Sequence, residues 1–265
     1  MKTQSTPLAG RRATWALLLV SMLAGLLLWE GVVRSSQLPA FILPAPGQVW
    51  ARFLSALGDG SLGRHIWVTL QEVVLGLVSG SLFAAALGYL LARSPRLERM
   101  LAPYVVASQS VPIVAIAPLL IIWFGPGLFS KVLICALIVF FPVLINTVVG
   151  LQAVPQDLHD LMRSLRASRW QTFRLLELPS AMPVFLGGLR IGATLSVIGA
   201  VVGELVGADR GLGFLINLGR GGYDTALVFV AVFTLVALAL ALYGLVLLLE
   251  ARLLWWQRKS QTSEG

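Results

Sequence analysis

Six stretches of about 20 or more largely apolar residues follow one another along this chain, at 13–33, 66–92, 101–124, 131–151, 184–206 and 225–250. Each is long enough to cross a hydrocarbon layer about 30 Å thick as a helix rising about 1.5 Å per residue. A segment in lipid finds no water for its backbone N–H and C=O groups, so only helices and closed barrels survive there. Barrel strands alternate apolar and polar residues, and these runs do not alternate. The expected fold is an all-α integral membrane protein with six transmembrane helices. Composition agrees. Of 265 residues, 57% are hydrophobic and 12% charged, whereas a soluble domain carries about 25% charge.

The formal net charge of +8 invites a nucleic-acid reading. Its carriers argue otherwise: 17 Arg and three Lys, scattered between the apolar runs rather than gathered on one face. No nucleic-acid partner is expected; the partner of such a chain is the lipid bilayer. Cationic connections stay on the cytoplasmic side of a membrane. With the N-terminus inside, the inner segments hold thirteen Lys and Arg, among them Arg93, Arg96, Arg99, Arg163 and Arg174, against six outside. The outer six are Arg34, Arg52, Arg64, Lys131, Arg210 and Arg220. Both termini are therefore expected in the cytoplasm of a multi-pass protein of the plasma (inner) membrane. The run at 13–33 follows Arg11 and Arg12 like a signal peptide, but its apolar core is too long and no small-x-small cleavage site follows. It reads as a retained anchor. The layout is a cytoplasmic N-terminus (1–12), the anchor, an external connection (34–65), a core (66–250) and a cytoplasmic tail (251–265).

The longest inner connection, 152–183, has a pattern of its own. Pro155 with Asp157 and Asp160 starts a helix, acids facing the positive end of its dipole. Leu158, Leu161, Met162 and Leu165 form one apolar stripe, while Arg163, Arg166 and Arg169 recur on the other side. A second short run, 172–178, is expected to stop at Pro179. By pattern alone such a hairpin either lies on anionic headgroups or docks on a partner.

The segment resembles the cytoplasmic loop of permease subunits in binding-protein-dependent ABC importers. That pattern runs Glu-Ala-Ala, three residues, Gly, nine residues, Ile-x-Leu-Pro. Here Asp160-Leu161-Met162 stands first, Arg166 replaces the glycine, and Leu176-Glu177-Leu178-Pro179 closes it at the same spacing. Leu43-Pro44-Ala45-Pro46, the run from Pro112 to Leu119 with Trp123-Phe124-Gly125, and Gly203-Glu204-Leu205 with the stretch from Gly211 to Ile216 resemble the same family. Together they look like the nitrate, sulfonate, taurine, thiamine-precursor and riboflavin branch. The resemblance implies a type I ABC importer permease working as a homodimer with two ATPase subunits and an extracytoplasmic solute-binding protein. It implies ATPase-coupling roles for Asp160, Leu161, Met162, Arg163, Leu165, Arg166, Ala167, Arg169, Leu176, Leu178 and Pro179. The flanking Arg-Ser-Leu-Arg-Ala-Ser-Arg-Trp looks closest to vitamin-type members, riboflavin or a thiamine precursor.

The chain has no G-x-x-x-x-G-K-[ST] phosphate loop, and no lysine follows a glycine. ATP hydrolysis would fall to another subunit, and the chain is not expected to be an enzyme. His65 and His159 are expected at opposite membrane faces, without a Cys/His cluster, so neither metal nor cofactor is expected. His159 reads as a solvated residue. Ionisable residues at membrane depth default to functional hypotheses. Glu30, Glu72 and Glu250 lie near span ends and are expected to snorkel to the interface. Glu204 either gates the external mouth or bonds a neighbouring helix. Gln109 and Ser110 beside Pro112, Asn146, Ser196 and Glu204 are the candidate translocation-pathway residues; interhelical hydrogen bonding is their alternative role. Two rivals remain: an ATP-independent carrier, and a membrane-embedded enzyme.

Overall fold

The structure, a computed structural model, describes residues 7–255. Residues 1–6 and 256–265 of the expected tails lie outside the described residues. All regular elements among the described residues are helical: α1 (Pro7–Ser36), α2 (Pro46–Gly58), α3 (Ser61–Arg93), α4 (Pro95–Gln109), α5 (Ile113–Phe124), α6 (Leu128–Gln152), α7 (Gln156–Ser164), α8 (Arg169–Thr172), a π-helical turn (Phe173–Glu177), α9 (Leu178–Gly207), α10 (Leu212–Gly221) and α11 (Thr225–Leu253). Five continuous helices are long and apolar enough to cross a membrane, and α4 with α5 supplies a sixth crossing if the bent pair counts as one.

α6 runs through the centre, with α3 on one side and α9 on the other. Small residues set these distances. A Cβ on Gly80 of α3 would stand 2.6 Å from the Ala136 carbonyl oxygen, and one on Gly199 of α9 would stand 2.8 Å from Cys135 Cα. Backbones meet here because no side chain intervenes. Cys135 is buried at this contact, the small packing residue that its apolar run suggested. α11 closes the bundle with Leu227, Val230 and Ala231 against Val73, Val197 and Ala200.

The outer elements are pinned by a few polar contacts. Gln48 Oε1 accepts the Ala45 N–H at the start of α2, with Pro46 at the first helical position. Arg52 of α2 pairs with Asp224 at 2.7 Å, and Asp224 also accepts the Leu227 N–H to cap α11. Asp59 accepts the Ser61 N–H at 2.8 Å; the side-chain and backbone hydrogen bonds from Ser61 hold its carboxyl below the ordinary aspartate value. α1 touches the bundle through Trp29, whose ring stacks on Phe229 at 5.2 Å and whose Nε1 donates to the Pro44 carbonyl at 3.1 Å. That bond gives the Leu43-Pro44-Ala45-Pro46 motif a local purpose.

Two expectations about elements are corrected. The span 101–124 is not one helix: α4 and α5 meet at 91°. Pro112 has no N–H to continue the ladder and drives Val111 out of the helical region, so the chain turns there. The run 172–178 does not stop at Pro179. Helix begins at Arg169 and continues to Gly207 as one 39-residue rod. The π turn at Phe173–Glu177 widens the backbone before Pro179, which is how a helix absorbs the missing donor and the ring clash.

Candidate functional site

α7 and the following turn form a capped, exposed projection. The Ala167 N–H donates to the Met162 carbonyl at 3.0 Å, and the Arg166 N–H to the Arg163 carbonyl at 2.9 Å. These two bonds are the Schellman closure of a helix, whose C′ residue is left-handed and most often glycine. That residue is Arg166, with φ +53°. Position 166 is thus a helix stop, and Arg166 adopts there the left-handed backbone that a glycine takes at no steric cost. Ser168 opens the next helix with a reciprocal capping box: Gln171 N–H to Ser168 Oγ at 3.2 Å, and Ser168 N–H to Gln171 Oε1 at 2.7 Å. Ser168-x-x-Gln171 was legible as a start signal, and it places the helix earlier than Thr172.

No residue of α7 is buried. Leu161 and Leu165 of the apolar stripe are 53% and 68% exposed. Met162 and Ala167 are half-buried, and Arg163 and Arg166 are exposed. Arg163 pairs with Asp160 at 2.9 Å on the open surface, a contact worth little that leaves both available. Arg169 heads α8 rather than extending the α7 row. Leu176 and Pro179 are half-buried and Leu178 is at the surface.

Glu177, between the leucines of the closing motif, is buried and ties the projection to the bundle. It accepts from Arg93 Nη2 at 2.9 Å, at the end of α3, and its other oxygen lies 3.9 Å from His159 Nδ1 of α7. Tyr89 adds a ring contact to Phe173 at 5.2 Å. His159 is therefore not a solvated residue: it faces the carboxylate that joins α7 to α3. Glu177 lies between Leu176 and Leu178, and only its long-range partners distinguish it from a surface carboxylate in the sequence.

A second polar centre lies at the opposite end of the bundle. Glu204 is fully buried on α9. Its Oε1 accepts from Thr69 Oγ1 at 2.6 Å and its Oε2 from the Gly213 N–H at 2.5 Å. Thr69 Oγ1 accepts the Leu212 N–H at 2.8 Å, and His65 Nδ1 the Gly211 N–H at 2.9 Å. Three successive N–H groups at the start of α10 are thus capped by side chains from α3 and α9, a carboxylate at the positive helix end among them. Gly211, at φ +112°, and Gly213 leave room for Glu204, and a Cβ on either would collide with its side chain. This is the physical content of the Gly203-Glu204 and Gly211-Leu212-Gly213 motifs.

Glu72 does not snorkel. It is fully buried on α3 beside Glu204, and Lys131 Nζ lies 3.2 Å from its Oε1. Lys131, counted among the outer connection charges, is buried in α6 as its counter-ion. Sequence spacing could not pair residues 72 and 131 on separate helices. Glu250 and Arg190 meet at 3.3 Å, and Glu30 pairs with Arg34 one turn on at 2.7 Å.

The candidate pathway residues do not form one group. Gln109 and Ser110 are exposed where α4 bends toward α5. Asn146 is half-buried over Gly188, its Nδ2 donating to the Pro142 carbonyl at 2.8 Å. Ser196 is buried and donates to the Ala193 carbonyl at 2.8 Å. Ser196 and Glu204 face the interior of the bundle, Asn146 reaches its surface only in part, and Gln109 and Ser110 are the exposed members.

The described residues form a multi-helix bundle apolar enough to cross a membrane, with an exposed helical projection tied to it by a buried carboxylate. Residues 73–255 match the family of binding-protein-dependent transport system inner membrane components, and the chain belongs to it. It is 48% identical over 90% of its length to the riboflavin transport system permease protein RibX of Chloroflexus aurantiacus, covering 89% of that protein. Identity is 35% to the formylaminopyrimidine transport permease protein ThiX of Halalkalibacterium halodurans, covering 88% of this chain and 93% of that one. It is 34% to the taurine transport system permease protein TauC of Escherichia coli, covering 89% and 88%. The fold is that of a chain in the inward-facing MetNI methionine ABC transporter, with a TM-score of 0.65 at 21% identity over 73% of this chain and 96% of that one. The chain is an ABC importer permease of the type I fold, a multi-pass protein of the inner membrane.

Proposed function

We propose that this permease carries a vitamin-type solute, riboflavin or a thiamine precursor, as a homodimer driven by two ATPase subunits and supplied by an extracytoplasmic binding protein. The observation that carries the coupling is the exposed Leu161–Leu165 stripe of α7, flanked by Arg163 and Arg166 and hinged on Glu177. An apolar stripe with cations beside it suits a groove with an acidic rim on a soluble partner. α7 then faces the cytoplasm, as do both termini, in keeping with the positive-inside bias. Closure of the ATPase pair on ATP would press on α7 and rotate the spans as rigid bodies between inward- and outward-facing states. Gln109 and Ser110 at the α4–α5 bend are the pathway candidates that this reading retains.

The vitamin-type substrate is supported by the resemblance of the 163–170 stretch and by the 48% identity to a riboflavin permease. The 34% identity to a taurine permease keeps a sulfonate as the competing substrate. The permease purified with its ATPase and binding protein should show ATP hydrolysis stimulated by riboflavin or a formylaminopyrimidine; stimulation by taurine alone reassigns the substrate. Leu165→Asp and Arg166→Asp should leave the permease folded in the membrane while uptake falls at least tenfold. Undiminished uptake in both variants removes the docking assignment, and uptake by the permease alone in liposomes would establish an ATP-independent carrier.

A further inference from the structure

A groove of about 630 Å³ opens between the α7 end of α3, α6 and the start of α9, within the range of sites that hold ligands. Leu82, Ala86, Leu151, Ala181 and Phe185 make its walls apolar. Water gains nothing in such a space. Its mouth differs. Tyr89, Trp170 and Phe173 gather there, with Trp170 and Phe173 rings 5.6 Å apart, in the aromatic arrangement found at membrane surfaces. Arg169 lines the same opening. Arg93 close by is occupied by Glu177 at 2.9 Å, whereas Arg169 makes no ion pair among the described residues.

From an apolar slot at membrane depth, an aromatic rim and an uncompensated guanidinium at the opening, we propose that this groove holds an acyl chain of an anionic phospholipid whose phosphate is bound by Arg169. Arg93 is neutralised by Glu177, so Arg169 leaves the opening with a net positive charge, which selects a net-negative headgroup over a zwitterion. One wall belongs to α3 and α6 and the other to α8, the π turn and the start of α9, so the lipid fills the seam between them. The inference extends the transport reading without resting on it.

The test uses the full-length permease in detergent, incubated with equimolar phosphatidylglycerol and phosphatidylcholine of the same acyl chains, and native mass spectrometry of what remains bound. Phosphatidylglycerol should be retained about fivefold over phosphatidylcholine, the preference that one interfacial cation supplies. Arg169→Lys should keep that preference and Arg169→Gln should bring it to about equal retention. Ala86→Trp, which fills the groove, should lower retention of both lipids. Equal retention by the unsubstituted protein, or a preference that survives Arg169→Gln, overturns the proposal. So does competition by soluble glycerol phosphate at the same concentration as the lipid, because the acyl chain would then contribute nothing. Lipid retention by the permease alone is independent of uptake, so failure here leaves the transport reading standing, and the reverse.

Discussion

At the scale of single residues, Arg166 shows strain accepted where geometry demands it. A non-glycine residue in the left-handed region costs about 1–2 kcal/mol, and Arg166 sits there at φ +53°. Arg166→Gly should therefore raise the apparent stability of the purified permease by about 1 kcal/mol, read as a higher midpoint of thermal unfolding in detergent. An unchanged or lower midpoint would mean that the arginine side chain offsets its own backbone cost. The buried triad behaves differently. Lys131→Met leaves Glu72 buried without its cation and should cost about 3–5 kcal/mol, whereas Lys131→Met with Glu72→Leu should recover most of the loss. Denaturation of both variants against the parent gives the coupling directly. Arg166 was recognisable in the sequence as a departure at a fixed spacing, because a Schellman turn is local. The triad was not, because its pairing depends on helices nearly 60 residues apart meeting at one depth.

At the scale of elements, helices end where local chemistry ends them and continue where packing outweighs it. The existence of the long apolar helices followed from run length, and Pro112 marks the α4–α5 bend. Pro179 misled for a physical reason: a π turn supplies the slack that lets a proline pass, and no residue pattern announces one. The amphipathic α7 was legible because its two faces differ in chemistry. Its anchor was not, because Glu177 pairs backward across the fold with Arg93 and His159. Glu177→Ala should loosen α7 without unfolding the bundle. Limited trypsin digestion should then cut within 163–174 at least several-fold faster while total helix content is unchanged. Equal cutting rates would mean that α7 is held by its backbone connections alone. The same variant should lose uptake in the assembled transporter if the projection must be stiff to transmit force.

At the scale of the whole molecule, the bundle has polar fastenings at its two ends and a nearly apolar middle. One joins α3, α7 and the start of α9 through Glu177; the other joins α3, the far part of α9 and α10 through Glu204. The family resemblance reached the elements between them in sequence order, since their motifs are short and local. It could not show that Glu204 bonds Thr69 and the Gly213 N–H, because a carboxylate near the end of a span suits a mouth and a cap alike.

The helical run from Arg169 to Gly207, its π turn included, joins these fastenings. At about 1.5 Å per residue it is about 58 Å long, one stiff shaft exceeding the thickness of the bilayer. A shaft carries torque as well as thrust. Whatever turns its base, at the Ser168 capping box, turns Glu204 with it, together with the three backbone N–H groups that hold α10. The polar centre at the far end of the bundle is then geared to the near one by covalent geometry, and the two cannot keep independent time.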